Sequence, residues 1–350
     1  MDRFKLLDAG LRAFDVRMPD ATPPLCVATR YRSSSCRSCV DVCPAGAIAT
    51  SPWLELDAEK CSSCGACASV CRTGALSLEI QHHALRDQCR SRLASDPPTG
   101  ETAVMFACRQ SDLVAAADAT CVVSCLGGLS AADLLAAAAL GADHIDLVSG
   151  DCATCADGPA EAALELAIIT AGETMVALGR PLVVARARSI SSASAAEATA
   201  PTMSRRGLFH YLARGLGQAA AGGAAPKDPQ RSISALHRQA APPMTHRRLI
   251  LDLVELHVRG NGSLVTLPKA LPLASLAATA ECDTCGLCLS YCPHGALAID
   301  GDSVACNAGR CTGCGLCVEM CPRSALRLGP ATLAPRRLPE TEAAALSTSA

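Results

Sequence analysis

The sequence predicts an α+β protein in which two small, cysteine-rich βαββαβ domains flank a small α/β domain with a parallel sheet. Three observations support this prediction. The 350 residues include 23 cysteines but only 4 Phe, 3 Tyr and 1 Trp, so little bulky apolar material is available for a conventional core. The cysteines near both ends recur at short, regular spacings. Between them, short apolar runs alternate with helical stretches, as in an α/β layer.

The composition also excludes several classes of protein. With 33 acidic and 31 basic residues, the net charge of −2 provides no field that would attract nucleic acid or an anionic membrane. No stretch of about 18 residues is apolar throughout, and residues 1–24 lack the features of a secretory signal. We therefore expect a cytoplasmic protein with no membrane span and no nucleic-acid partner. In a reducing compartment, closely spaced cysteines indicate metal rather than disulfides.

The clearest metal-binding pattern lies near the carboxyl end. Two runs there have the form C-x2-C-x2-C-x3-C-P, and they consist of Cys282, Cys285, Cys288, Cys292 and Pro293, and of Cys311, Cys314, Cys317, Cys321 and Pro322. A [4Fe–4S] cube needs four thiolates, and Gly286 and Gly315 let the backbone of each loop approach its sulfides. Zinc, the main competing metal, prefers its four ligands as two pairs.

This doubled run resembles that of bacterial two-cluster ferredoxins. The resemblance implies that the fourth cysteine of each run ligates the other cube. One cluster would then be held by Cys282, Cys285, Cys288 and Cys321, and the other by Cys311, Cys314, Cys317 and Cys292.

The same pattern recurs near the amino end with one defect. Its second run is complete, but Ser33 stands where the first run should begin. Cys26 is the favoured replacement because the loop between it and Cys36 can return it to the cube, and the alternatives are a Ser33 alkoxide or a three-iron cluster. The crossed assignment gives Cys26, Cys36, Cys39 and Cys71 for one cluster, and Cys61, Cys64, Cys67 and Cys43 for the other. Arg72 follows Cys71 where the pattern has proline.

Short apolar stretches between the two runs of each copy predict small hairpins, over residues 45–56 and 296–304. The segments that follow the cysteines also repeat, as in Gly74-Ala-Leu-Ser-Leu and Gly295-Ala-Leu-Ala-Ile. We therefore predict ferredoxin-like 2[4Fe–4S] domains at residues 21–85 and 276–330. Four [4Fe–4S] clusters would substitute for a conventional core.

Residues 101–188 predict the small α/β domain. Its apolar runs predict buried parallel strands at residues 103–108, 120–125, 144–149 and 181–185, with helices at 130–140 and 158–178. Ligands gather at the carboxyl ends of such strands. Four cysteines fall there, and they form a predicted metal site: Cys108, Cys125, Cys152 and Cys155.

The segment at residues 103–156 is similar to the iron–sulfur delta subunit of methyl-viologen-reducing hydrogenase and heterodisulfide reductase systems. The similarity rests on Cys125-Leu-Gly-Gly-Leu and on Gly150-Asp-Cys-Ala-Thr-Cys155. It implies a [2Fe–2S] cluster that relays electrons, with zinc as the alternative. Cys121 is instead expected to be a buried apolar residue.

Residues 189–245 predict a flexible linker with a basic helix at 204–218. Ser204-Arg205-Arg206 resembles a twin-arginine export signal, but it lies too far inside the chain for export.

The sequence contains no phosphate-binding loop and no nucleophile beside a base, so no catalytic residue is predicted. We predict a polyferredoxin that relays electrons between a low-potential donor and a redox enzyme, as a non-catalytic subunit of an oxidoreductase complex. Its partners would be redox proteins. The alternatives are an iron–sulfur assembly or maturation factor, and a thiol or cluster site in the central domain that acts on sulfur substrates.

Overall fold

The computed structural model describes residues 18–78, 85, 87–89, 93, 102–111, 120–188, 250–251, 254 and 265–333. The predicted linker at 189–245, with its helix at 204–218 and the Ser204-Arg205-Arg206 motif, lies outside the described residues. No helix in the described part of the chain is long and apolar enough to cross a membrane.

The amino-terminal cysteine region follows the predicted βαββαβ order with one additional short helix between its first and second strands. Strands β1 and β4 pair antiparallel, as do β2 and β3. Each strand spans only two residues, because the cysteine loops occupy most of the segment. The elements are β1 Asp20–Ala21, α1 Val27–Arg30, α2 Ser38–Asp41, β2 Ile48–Ala49, β3 Glu55–Leu56, α3 Ala66–Val70 and β4 Leu76–Ser77.

The central region contains one four-stranded parallel sheet. Its strands lie in the order β6, β5, β7 and β8, so the three strands that carry cysteines at their carboxyl ends are neighbours. Helix α4 begins after Ser130, whose backbone N–H and hydroxyl both donate to Asp133 Oδ2, at 2.8 and 2.6 Å. The elements are β5 Ala103–Cys108, β6 Thr120–Val123, α4 Ala131–Ala139, β7 His144–Ser149, α5 Glu161–Ala177 and β8 Val183–Arg188.

The carboxyl-terminal cysteine region has one helix fewer than the first, and a further pair of strands flanks its βαββαβ order. Strands β10 and β13 pair antiparallel over four residues, β11 and β12 form the hairpin, and β9 pairs with β14. The elements are β9 Val265–Thr266, β10 Ser275–Ala278, α6 Leu287–Tyr291, β11 Leu297–Asp300, β12 Ser303–Cys306, α7 Leu316–Glu319, β13 Leu326–Gly329 and β14 Thr332–Leu333.

The largest apolar core surrounds the parallel sheet and draws on distant parts of the chain. Phe106, Leu134, Ile145 and Leu147 form its centre and are at most 1% exposed. Residues from outside the α/β segment complete the core, namely Leu85, Ile250, Val254, Leu267, Leu271 and Leu273. The central sheet therefore packs against segments on both sides of it in the sequence.

Candidate iron–sulfur sites

The first thiol group of the amino-terminal region contains Cys26. This residue is 7% exposed and lies between the turn Pro23–Leu25 and helix α1. Burial and the nearby charges of Cys71 and Cys26 raise the pKa of Cys36. Burial also raises the pKa of Cys39 to about 12, and the charges of Cys71, Cys26 and Cys36 contribute. These interactions show that Cys26, Cys36, Cys39 and Cys71 lie close together.

The second thiol group lines an open cavity of about 320 Å³. The cavity is bounded by Cys43, Cys61, Cys64 and Cys67, together with Gly65. Gly65 adopts φ 83° as it begins helix α3, a conformation that brings the loop backbone toward the thiols at little steric cost. The donor set and the cavity fit a four-thiolate cluster.

The third thiol group lies in the carboxyl-terminal region and joins Cys292 to the second run there. Burial raises the pKa of Cys314 to about 11 and that of Cys317 to about 12, and the charges of Cys292 and Cys311 contribute to both. We call this group, Cys292, Cys311, Cys314 and Cys317, the inner carboxyl-terminal group.

The fourth thiol group, the outer carboxyl-terminal group, consists of Cys282, Cys285, Cys288 and Cys321. Burial, with the charges of Cys285 and Cys282, raises the pKa of Cys288. Cys321 packs in the same apolar cluster as Cys282 and Cys288. Cys285 is exposed to solvent, so this group lies at the protein surface.

Backbone amides donate to the thiol sulfurs at equivalent positions of three runs. The N–H of Ala47 donates to Cys43 Sγ at 3.4 Å, that of Ala296 to Cys292 Sγ at 3.3 Å, and that of Ala325 to Cys321 Sγ at 3.4 Å. In each case the donor is the fourth residue after the last cysteine of the run. Hydrogen bonds to cluster sulfurs stabilise negative charge and help to set the reduction potential.

The thiol groups do not have the spacing of a single-ion site. Within the described ranges, no set of three or more His, Cys, Asp or Glu residues is arranged to hold one metal ion. Thiolates around one zinc ion converge on a single point at about 2.3 Å, whereas thiolates around a cluster bind separate irons.

The central cysteines meet at the carboxyl ends of three neighbouring strands. Cys108, Cys125, Cys152 and Cys155 line a cavity of about 500 Å³. Burial raises the pKa of Cys125 to about 12, with contributions from the charges of Cys64, Asp157 and Cys108. We call this site the central pocket.

Glycines shape the walls of the central pocket. An added Cβ at Gly158 would lie 2.2 Å from the carbonyl oxygen of Cys152, and one at Gly150 would lie 2.4 Å from that of Gln110. Both distances are too short for any side chain. These positions therefore require glycine in order to form the pocket.

The central pocket adjoins the second amino-terminal thiol group. Cys64 and Cys125 share one apolar cluster with Ala66 and Ala160. Ser69 Oγ donates to the carbonyl oxygen of Gly127 at 3.0 Å, which ties helix α3 to the turn Leu126–Gly128. The two sites are thus held together by packing and hydrogen bonds.

Three cysteines belong to none of these five sets of four. Cys89 and Cys121 are buried in the central core with their sulfurs 3.8 Å apart, and that hydrogen bond and burial raise the pKa of Cys89. Cys306 hydrogen-bonds to Cys311, which raises the pKa of Cys306, and it lies near Cys317 and Cys292. Cys306 is therefore a fifth thiol beside the inner carboxyl-terminal group.

Two regions of the chain, residues 34–75 and 281–330, match the family model of the 4Fe-4S dicluster domain. The matches identify two ferredoxin-like domains and imply [4Fe–4S] clusters and an iron–sulfur electron-transfer role. Cys26 lies before the first match. No curated protein and no solved structure matches the chain.

Proposed function

We propose that the chain is a polyferredoxin that relays single electrons between a low-potential redox protein and an oxidoreductase, as a subunit of that enzyme's complex. The main support is the contiguity of the thiol sites, because the central pocket adjoins the second amino-terminal group and the amino-terminal domain adjoins the inner carboxyl-terminal group. The outer carboxyl-terminal group reaches the surface at Cys285, where a partner protein could exchange electrons. The abundance of closely spaced thiols supports a cytoplasmic location.

We propose that four sets of cysteines hold four [4Fe–4S] clusters, which supply reversible one-electron transfer when bound. The packing of buried Cys26 with Cys39 and Cys71 supports its assignment as the ligand that replaces Ser33, which is exposed. The proposed sets are Cys26, Cys36, Cys39 and Cys71; Cys43, Cys61, Cys64 and Cys67; Cys282, Cys285, Cys288 and Cys321; and Cys292, Cys311, Cys314 and Cys317.

The protein's own groups prepare these sites for negative charge. Amides of Ala47, Ala296 and Ala325 point at cysteine sulfurs. Apolar side chains such as Leu54 and Leu76 limit the access of water to the first amino-terminal group. Since these donors and side chains are fixed by the fold, little rearrangement accompanies a change of charge.

The central pocket is proposed as a fifth redox centre. Four thiols that line one cavity support a [2Fe–2S] cluster at Cys108, Cys125, Cys152 and Cys155. Zinc is the alternative occupant of the same four thiols. Its contact with Cys64 supports a role at one end of the relay.

Anaerobic redox cycling distinguishes a relay from an assembly factor. The purified protein is reduced with dithionite, reoxidised with a one-electron acceptor, and then incubated with a metal-free ferredoxin. The relay predicts repeated cycles with no loss of iron and no transfer to the metal-free protein. Transfer of iron and sulfide to that ferredoxin would instead favour the assembly function.

A further inference from the structure

Arg72 departs from the ferredoxin pattern and occupies the contact between the two ferredoxin-like domains. It follows Cys71 directly, where the other three runs have Pro44, Pro293 and Pro322. Its guanidinium donates to four carbonyl oxygens of the carboxyl-terminal part of the chain. The distances are 3.2 Å to Thr312, 3.0 Å to Ala270, 3.0 Å to Lys269 and 2.6 Å to Leu271.

Arg72 carries its positive charge in a half-buried position. Burial lowers the pKa of Arg72, while the negative charges of Cys314 and Cys311 oppose that shift. A guanidinium has five N–H donors and stays protonated, so it needs acceptors when it is taken out of water. Here Thr312 of the carboxyl-terminal domain and Lys269, Ala270 and Leu271 of the segment before it supply the carbonyl oxygens, and the inner carboxyl-terminal thiols lie nearby.

Arg30 makes a second contact across the same interface. It is 7% exposed, and its Nη1 donates to the carbonyl oxygen of Tyr291 at 3.2 Å. Burial lowers the pKa of Arg30, and the charges of Cys292 and Cys314 oppose that shift. Two guanidinium groups from the amino-terminal domain therefore lie beside the inner carboxyl-terminal group.

Apolar and polar contacts complete the interface. Val27, Leu316 and Met320 are buried in a cluster against which Cys36 and Cys314 also pack, so thiols of two different groups share one small apolar region. His294 Nε2 donates to the carbonyl oxygen of Thr73 at 3.2 Å. The interface thus juxtaposes the first amino-terminal group and the inner carboxyl-terminal group.

We propose that Arg72 and Arg30 are positioning residues that lock the two ferredoxin-like domains together, so that the electron route has one fixed order. The order runs from the outer to the inner carboxyl-terminal group, then through the first and second amino-terminal groups to the central pocket. This inference rests on the proposed electron-transfer function. Each transfer removes one electron from a centre and adds it to its neighbour without a change in bonding. The electron enters from an external one-electron donor protein and leaves to an acceptor enzyme. Electrons can pass along this series of centres in either direction.

The two guanidinium groups also have an electrostatic consequence. Reduction adds one negative charge to a cluster, and a nearby buried cation stabilises that charge more strongly than an exposed one. Removal of either arginine should therefore shift the reduction potential of the inner carboxyl-terminal centre to a more negative value. A purely structural contact distant from the centre would not produce this shift.

The test uses the full-length, cluster-loaded protein with Arg72→Pro, which restores the Cys-Pro form of the other runs, and with Arg72→Met. Arg323→Met is the matched control, because Arg323 also follows a cysteine run but is exposed and pairs with Asp283 of its own domain. Iron content is measured first. EPR spectra of the fully reduced proteins then report magnetic interaction between neighbouring centres, and a redox titration reports their potentials.

We expect interaction-split signals in the unsubstituted protein and in the control. Both Arg72 variants should keep their iron but lose the splitting that arises between the first amino-terminal centre and the inner carboxyl-terminal centre. The reduction potential of the inner carboxyl-terminal centre should become more negative. Retained splitting and unchanged potentials in both variants would overturn the inference, as would loss of iron from both, since that would make Arg72 a requirement for cluster binding. Magnetically isolated clusters in the unsubstituted protein would also overturn it, while leaving the proposed function intact. An unsubstituted protein that binds no clusters would refute the proposed function itself.

Discussion

Cys26 is the residue on which the first amino-terminal cluster depends most directly. It is buried and interacts with Cys36 and Cys39, whereas Ser33 is exposed. We expect Cys26→Ala to lose about one iron, if a three-iron cluster survives, or about four if the cube is lost. Ser33→Ala should leave the iron content unchanged. Iron analysis together with EPR of the oxidised protein, which detects three-iron clusters, measures both outcomes. Normal clusters in Cys26→Ala and loss in Ser33→Ala would transfer the ligand role to Ser33.

Cys152 and Cys155 provide the corresponding test of the central pocket. The double change Cys152→Ala, Cys155→Ala should remove the [2Fe–2S] spectrum and about two irons, and leave the cubes in place. The measurement requires the full chain, because residues such as Ile250 and Leu267 complete the core around the central sheet. Cys121→Ala is the matched control, since this thiol is buried in the same core away from the pocket. Equal iron content in the double variant and the control would show that the pocket binds no cluster.

The spacing of the cysteines predicts sets of ligands, but it does not predict contacts between residues that are distant in the sequence. Ligand runs are local in sequence, so their grouping follows from the spacing and from the ferredoxin resemblance. At Arg72 the sequence shows only a missing proline, because the acceptors of its guanidinium lie about 200 residues away along the chain, at Ala270 and Thr312.

The strands and helices of the central domain follow their predicted positions, with differences at the ends. Strand β8 begins at Val183 rather than Pro181, since proline has no N–H to donate to the ladder, and it extends to Arg188 because its pairing with β7 continues to Ser149. Strand β6 ends at Val123 rather than Cys125. Cys125 instead precedes the turn Leu126–Gly128, which directs its side chain to the central pocket.

Gly128 permits the close packing of that turn against the amino-terminal domain. An added Cβ would lie 2.6 Å from the carbonyl oxygen of Cys64 and 3.4 Å from Cα of Gly65. Gly128→Ala should therefore cost about 1–3 kcal/mol, the usual penalty for overpacking, and separate the central pocket from the second amino-terminal group. Differential scanning calorimetry reports the stability, and EPR of the reduced protein reports the magnetic interaction between these two centres.

Gly172 supplies the control for this substitution. It lies within helix α5 and has no atom within 4 Å of an added Cβ, so Gly172→Ala should stabilise the helix by about 0.5–1 kcal/mol. The magnetic interaction should be unchanged in this variant. If Gly128→Ala behaves like Gly172→Ala in both measurements, the two sites do not depend on this contact.

The three cysteine-bearing regions form a connected molecule rather than independent units on flexible tethers. The amino-terminal domain contacts the central domain through Ser69 and the carboxyl-terminal domain through Arg30 and Arg72. The sequence predicted the regions themselves, because each has its own local pattern. It did not predict their contacts, since the side chains that make them are single polar residues with no periodic signal. Because these contacts hold the three regions together, electron transfer between them does not depend on diffusion of one region to another.

Anaerobic iron and acid-labile sulfide analysis of the full-length protein tests the proposed series of clusters most directly. Four cubes predict about 16 irons and an equal amount of sulfide per chain, and a [2Fe–2S] cluster in the central pocket raises each to about 18. A value near eight irons would mean that one ferredoxin-like domain holds no clusters. That result would break the series in the middle and contradict the relay.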